Sequence, residues 1–368
     1  MPPAHSLHTI VHNRLADTAA VGAEFAALTS IARVRKMDQP IAIAPAVAAP
    51  SKPLSPPRLV FRLEGHTYSV SCVAACADGE RLVSSSHDGT ARVWSATTGK
   101  ILCTLKILCT LAESSEEVNC VALFSDGVRA VWGSTGNCFG IMRTWSLNSE
   151  TELRAFREPT KFVHGVAVSP DDRTIASAGE ETRLWNVTSG LLEATLTDRN
   201  ERKMSVAFSP DGQTLASGGV YNTIKVWSVR TRQLLRIIAC GALGHVINAV
   251  EFTPDGRYIV SGSSDGTIKV WNWRIGDLHV QLSGHREGVN SIAVFPDGER
   301  IASGGGDSTV RIWNLRSAEL EHTLEGHTSC VSSVAVSRDA RILVSGSSDK
   351  TVRVWAVGEA DDDRDETP

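Results

Sequence analysis

The chain has 368 residues, 42% of them apolar, a net charge of −4 and an isoelectric point of about 6.3. That apolar fraction supports a sizeable core without disulfide staples, and the acidic balance argues against a dedicated binder of nucleic acid or of anionic membrane, which needs a basic excess. The eight Cys contain no C-x-x-C pair and no His at zinc-finger spacing, so they read as reduced thiols of an intracellular protein.

Residues 1–57 differ in composition from the rest. No basic region followed by an apolar run marks a secretory signal, and the longest apolar stretch, Ile41 to Ala49, is short and broken by Pro45. Cytoplasm, nucleus or both is the expected location, with no membrane contact. His5, His8 and His12 share helical spacing but read as a polar tail rather than metal ligands. The Ala-rich run Asn13 to Lys36 predicts a helix with Leu15, Ala19, Phe25, Leu28 and Ile31 as its apolar positions, and Arg33, Arg35 and Lys36 as a solvated end. Pro40, Pro45, Pro50, Pro53, Pro56 and Pro57 predict a stiff linker. This extension is expected to be partly disordered.

From residue 58 to 357 a repeat dominates. Trp94, Trp145, Trp185, Trp227, Trp271, Trp313 and Trp355 recur at spacings of 51, 40, 42, 44, 42 and 42. A second landmark is a turn of the P-D-G type, whose third residue is Gly79, Gly127, Asp172, Gly212, Gly256, Gly298 and Ala340. The long first spacing contains a direct duplication of KILCTL and an enlarged central turn in the second repeat. In the sixth repeat Val289, Ile292 and Val294 precede the turn, followed by Ile301–Gly304, Thr309–Trp313 and Leu320–Leu324. Four short strands joined by turn signals make one antiparallel sheet, and such sheets bury both faces by stacking radially. The predicted fold is all-β, a seven-bladed propeller of four-stranded antiparallel blades. The seventh repeat ends just after Trp355 without a fourth strand. Arg58–Leu63 (RLVFRL) precedes the first repeat and is expected to supply it, which removes an exposed edge. The acidic tail, residues 358–368, is expected to be disordered.

Gly-His pairs stand at Gly65-His66, Gly244-His245, Gly284-His285 and Gly326-His327, and the strings SSSHDGTARVW, SGSSDGTIKVW, SGGGDSTVRIW and SGSSDKTVRVW end at four of the Trp residues. By these motifs the region resembles the WD-repeat family, although no Trp is followed by Asp. The resemblance implies hydrogen-bonded tetrads His66–Ser84–Asp88–Trp94, His285–Ser303–Asp307–Trp313 and His327–Ser345–Asp349–Trp355. It also implies a partial set, Ser261–Asp265–Trp271, with His245 two residues out of register. The recurrence of Ser, His and Asp beside a Trp in several repeats marks a structural device rather than a hydrolase, and no G-x-S-x-G elbow or phosphate loop occurs. The chain is expected to be non-catalytic, with no cofactor and no small-molecule substrate.

The resemblance further implies that proteins or peptides bind the loops before the first strand and between the second and third strands of each blade. Regular repeats place small residues there: Ser69, Ser71, Gly288, Asn290, Cys330 and Ser332. The second to fourth repeats place Glu117, Phe162, His164, Arg202, Met204 and Tyr221, with Tyr221 standing where the tetrad Asp belongs. Aromatic and Arg side chains dominate interface hot spots, so these six are the candidate contacts. The expected function is a protein-interaction scaffold, as part of a multi-protein complex. A second reading, a substrate receptor of a cullin-4 ubiquitin ligase, rests on IVSGSSDGTIKVWNWR and IASGGGDSTVRIWNLR, which resemble an extended adaptor-docking box ending at Arg274 and Arg316. A third, a signalling propeller like the G-protein β-subunit, needs an N-terminal coiled coil, and residues 1–57 show no sustained heptads.

Overall fold

The short alternating stretches fold as 28 strands and, among the described residues, no helix. The computed structural model describes residues 56–76, 79–106, 117–135, 140–158, 162–197 and 202–357. These all belong to one compact unit, Lys52–Pro368, distinct from Met1–Ser51. The expected helix over Asn13–Lys36, His5, His8 and His12, most of the linker, the second KILCTL copy and the acidic tail lie outside the described residues.

Strand β1 (Arg58–Leu63) precedes the first repeat. Blade 1 comprises β2 (Val70–Ala75), β3 (Arg81–Ser86), β4 (Thr90–Ser95) and β5 (Ile101–Lys106). Blade 2 comprises β6 (Glu117–Leu123), β7 (Arg129–Thr135), β8 (Ile141–Ser146) and β9 (Thr151–Arg157). Blade 3 comprises β10 (Gly165–Val168), β11 (Thr174–Ala178), β12 (Thr182–Asn186) and β13 (Leu192–Leu196). Blade 4 comprises β14 (Lys203–Phe208), β15 (Thr214–Gly219), β16 (Thr223–Ser228) and β17 (Leu234–Ala239). Blade 5 comprises β18 (Ile247–Phe252), β19 (Tyr258–Ser263), β20 (Thr267–Asn272) and β21 (Asp277–Ser283). Blade 6 comprises β22 (Val289–Val294), β23 (Arg300–Gly305), β24 (Val310–Asn314) and β25 (Glu319–Leu324). The last repeat supplies only β26 (Val331–Val336), β27 (Ile342–Ser347) and β28 (Val352–Ala356). Blade 7 is completed by β1, antiparallel to β28 with Leu59 opposite Trp355 and Leu63 opposite Val352. The first strand of each repeat lies innermost, packed on its counterparts in the two neighbouring blades, so that β26 meets β2 and the ring closes.

Local chemistry explains the repeat landmarks. The third residue of each inner turn adopts a left-handed backbone, including Asp172 and Ala340, both at φ 59°. That conformation favours Gly, which fills the other five sites. The core consists of seven apolar clusters, one per blade junction. In each, the repeat Trp packs against the preceding blade. Trp94 lies with Val344, Val352 and Val354 of blade 7, and Trp313 with Val260, Ile268 and Val270 of blade 5. The Gly after the tetrad Ser makes room for the next blade. A Cβ on Gly346 would sit 2.6 Å from Val70 Cγ1.

Polar clasps join neighbouring inner strands. A polar side chain near the start of an inner strand donates to a backbone carbonyl at or just before the start of the next: Ser71 Oγ to Val118 O (2.5 Å), and Asn119, Asn248 and Asn290 Nδ2 to Val163, Val289 and Val331 O (3.0 Å each). Three residues after this clasp position six blades carry Ala and blade 5 carries Glu251. Its Oε2 accepts from Val294 N at 2.9 Å, and burial among the inner strands pushes the carboxyl up to about 7.

Two outcomes follow from this architecture. Removing residues 1–57 leaves a folded protein, whereas removing 1–64 deletes β1, strips blade 7 of its outer strand and lowers the melting temperature sharply. Equal melting of the two truncations would contradict the ring closure. Glu251 keeps its proton in the folded state where the unfolded chain releases it, so its contribution to stability is present in acid and is lost as pH rises towards about 7. Glu251→Gln therefore raises the melting temperature at pH 8 and changes it little at pH 4.5; a uniform shift across that range would show that the carboxyl does not titrate as described.

Candidate functional site

The three complete tetrads share one geometry. His66 Nε2 lies 2.8 Å from Ser84 Oγ, its Nδ1 lies 2.9 Å from Asp88 Oδ2, and Trp94 Nε1 donates to Ser84 Oγ at 2.8 Å. The corresponding distances are 2.8, 3.0 and 2.8 Å for His285, Ser303, Asp307 and Trp313. They are 2.8, 2.8 and 3.0 Å for His327, Ser345, Asp349 and Trp355. With a neutral imidazole the protons run in one direction, from indole to hydroxyl to Nε2, and from Nδ1–H to the carboxylate. Each carboxylate also accepts a backbone N–H from the loop entering its blade: Thr67, Arg286 or Thr328. The three Ser hydroxyls are fully buried beneath the imidazoles, the reverse of an exposed nucleophile.

The incomplete blades keep part of this device and rebuild the rest. In blade 5 Trp271 Nε1 donates to Ser261 Oγ at 2.9 Å. His245 joins no hydrogen bond among the described residues. The Ser261 hydroxyl donates to Lys269 O at 3.3 Å, and Lys269 Nζ, 3.8 Å from Asp265 Oδ2, donates to Cys240 O at 2.6 Å. In blade 3 Trp185 Nε1 donates to Ser177 Oγ at 3.0 Å, and that hydroxyl donates to buried Glu158, which is paired with Arg183 at 2.9 Å. Carboxylate and guanidinium thus replace imidazole and carboxylate, inverting the charges. Burial pushes the Glu158 carboxyl up against the pull of Ser177 and Arg183. In blade 4 Trp227 Nε1 reaches Ser217 Oγ at 3.2 Å, Tyr221 is exposed, and buried Asn222 donates to Ala242 O at 2.8 Å, tying the two loops together. In blade 2 Trp132 stands in the Ser position and stacks on Trp145 at 5.3 Å, and neither indole N–H has a partner among the described residues.

Burial alone would raise the Asp307 carboxyl, but the bonds from Arg286 N, Thr309 and His285 outweigh it and hold it at about 2. Its stabilisation is present above the unfolded carboxylate range and is lost as pH falls through about 2. Asp307→Asn is therefore destabilising at pH 7, by about 1–3 kcal/mol for a buried hydrogen-bonded group. The gap narrows below pH 4, and melting curves at pH 7, 4 and 2.5 test it.

Among the candidate contact residues the structure joins four. The rings of Phe162 and His164 stack with centroids 5.6 Å apart and planes 6° from parallel, and Arg202 Cζ lies 5.6 Å from the Phe162 ring centre. Val220 N donates to Arg202 O at 3.2 Å, which places Tyr221 next in the row. The Asn222 bond to Ala242 then brings in Leu243, half exposed and absent from the sequence-based set. Burial and then the Arg202 charge lower the His164 pKa, and its Nε2 is buried with no partner among the described residues. His164 and Met204 occupy the clasp position of blades 3 and 4 and clasp nothing. Two expectations are corrected. Glu117 and Met204 are strand residues, in β6 and β14, rather than loop residues, and Met204 is half buried. No polar or ring contact links Glu117 to the Phe162 group among the described residues. Ser71 and Asn290, taken as merely small loop residues, are clasps.

Arg274 and Arg316 are exposed but engaged within the chain. Arg274 Cζ lies 4.6 Å over the Trp273 ring, and Arg316 pairs with Glu299. Among the described residues no three of His, Cys, Asp and Glu gather as metal ligands.

The family model for the WD domain, G-beta repeat, matches residues 57–95, 192–228, 237–272, 276–314 and 318–356, more than half of the chain. The unmatched interval 96–191 holds blades 2 and 3, where tetrad positions are rebuilt. The chain is 29% identical over 170 residues to the DENN domain and WD repeat-containing protein SCD1 of Arabidopsis thaliana, covering 46% of this chain and 14% of that protein. It is 32% identical over 133 residues to cell division cycle 20.5, cofactor of APC complex, of the same plant, covering 35% and 28%. It is 22% identical over 137 residues to the target of rapamycin complex subunit LST8 of Mus musculus, covering 37% and 40%. The chain thus spans less than half the length of each of these relatives. Repeat motifs, the four-stranded blades and the indole–serine bonds agree with the family match: the chain belongs to the WD-repeat family, with five repeats carrying its signature and two diverged ones completing the ring.

Proposed function

We propose that the chain is a non-catalytic scaffold that binds a protein or peptide partner on the face where the loops entering blades 3, 4 and 5 meet the central turns of blades 3 and 4. One observation carries this reading. Arg202 lies over the Phe162 ring, and the Val220–Arg202 and Asn222–Ala242 hydrogen bonds bring the loops that carry exposed Tyr221 and Leu243 alongside. Residues of these types supply most of the binding energy at protein interfaces when they sit on a rigid frame. WD-repeat propellers are generally non-catalytic, and the printed names of two relatives, a cofactor of the APC complex and a subunit of the target of rapamycin complex, place those proteins in assemblies. That supports a scaffold role here too.

The test is capture of partners by the full chain, followed by paired variants. Phe162→Ala with Tyr221→Ala weakens capture at least ten-fold with melting unchanged. Arg286→Ala with Thr328→Ala, exposed on the same face over blades 6 and 7, leaves it intact. The opposite pattern would move the binding surface to the other side of the ring.

A further inference from the structure

We propose that this row recognises an extended peptide segment carrying a side-chain carboxylate beside a large apolar residue; the inference rests on the scaffold reading above and adds the chemistry of its ligand. Its first support is the charge of Arg202. The guanidinium is exposed, lies over the Phe162 ring, and pairs with no carboxylate among the described residues. Four other arginines of the ring are neutralised in place: Arg129 by Asp126 and Asp172, Arg143 by Glu152, Arg300 by Asp297, and Arg316 by Glu299, while Arg154 and Arg236 donate to the carbonyls of Ser189 and Ile275. An Arg fixed against an aromatic face presents its N–H edge in a set plane, which suits bidentate capture of a carboxylate.

The second support is what flanks that charge. Tyr221 is 41% and Leu243 50% exposed, and the bond between their neighbours Asn222 and Ala242 ties the two loops, so exposed apolar side chains stand on the blade 5 side of the cation. A ligand satisfying both features has an acid at one end and an apolar side chain at the other, in extended register. A lone cation rules in a single carboxylate rather than a nucleic acid, whose binding requires several phosphate-neutralising side chains. The arrangement is also pre-ordered. Its described residues are anchored by the Val220–Arg202 backbone bond, by the Asn222 side-chain amide on Ala242 O and by the Phe162–His164 stack, which lowers the ordering left to be done on binding.

The experiment uses fluorescent, terminally blocked twelve-residue peptides with the cores Leu-Glu-Phe, Leu-Gln-Phe and Leu-Lys-Phe in Gly/Ser flanks. A fourth peptide carries the Gln core with a free C-terminal carboxylate. Anisotropy with the full chain at low and at physiological salt reads the affinities. The Glu peptide binds at least ten-fold more tightly than the Gln peptide, the Lys peptide binds worst, and Arg202→Gln abolishes the Glu preference while Phe162→Ala weakens both. Equal binding of Glu and Gln peptides, absence of binding by all of them, or survival of the preference in Arg202→Gln would overturn the inference. So would tighter binding of the Lys peptide, which would make the surface a cation binder, or of the free-carboxylate peptide, which would make the ligand a chain terminus. If Phe162→Ala with Tyr221→Ala still abolishes partner capture while the peptides show no acid preference, the scaffold reading stands and this inference alone fails.

Discussion

One hydrogen bond organises the ring: the indole N–H of the repeat Trp donating to a buried Ser hydroxyl on the neighbouring strand of its own blade. The Trp belongs to two environments at once. Its ring fills the junction with the preceding blade, while its N–H is fixed inside its own sheet. A large aromatic side chain contributes most of a junction's apolar contact, and its buried donor requires a partner, so one residue sets both the distance between sheets and the rotation of each. Six blades make this bond. Blade 2 replaces it with a stacked pair of indoles, which keeps the spacing and leaves two donors without a partner among the described residues.

What sits above the Ser is less constrained. Imidazole in the regular blades and a carboxylate–guanidinium pair in blade 3 both serve, and in blade 5 the Lys269 ammonium spans the loop and the turn without bonding the Ser. The regular tetrads join loop and turn through the carboxylate, which accepts from the entering loop and from the turn Thr. Blade 3 reaches the same end with opposite charges, Glu158 from the entering loop and Arg183 from the strand. Glu158 is thereby tied to the strand that carries Arg183 and to the Ser177 hydroxyl.

The repeat architecture was legible because it rests on spacing. Seven Trp, seven turns with a left-handed third residue, and an unpaired RLVFRL before the first repeat imply blades, their number and the closing strand. The rebuilt sets were not legible. Glu158 lies 19 residues before its Ser where the His lies 18 before, the turn that follows is two residues shorter, and the charges are exchanged, so no fixed pattern finds it. The clasps escaped for a different reason. Ser71 and Asn290 look like small loop residues until their carbonyl partners on the adjacent blade are known, and those partners are 47 and 41 residues away. Residue type alone did pick out Phe162, Arg202 and Tyr221. It missed Leu243, whose relevance depends on the Asn222–Ala242 bond.

The β1–β28 pairing has a kinetic consequence. Six blades can form from contiguous stretches of chain, each closing hairpins only a few residues long. The seventh must join segments nearly 300 residues apart, at Arg58–Leu63 and Val352–Ala356. Loop-closure entropy grows only logarithmically, so the length-dependent part of that closure is about 5 kcal/mol if the intervening chain were flexible. Once six blades have stacked, the two segments are held near each other and most of that cost has already been met by local steps. Closure is then the last event, the one that makes unfolding of any single blade depend on all the others, and it converts a row of modules into a body that melts as a unit.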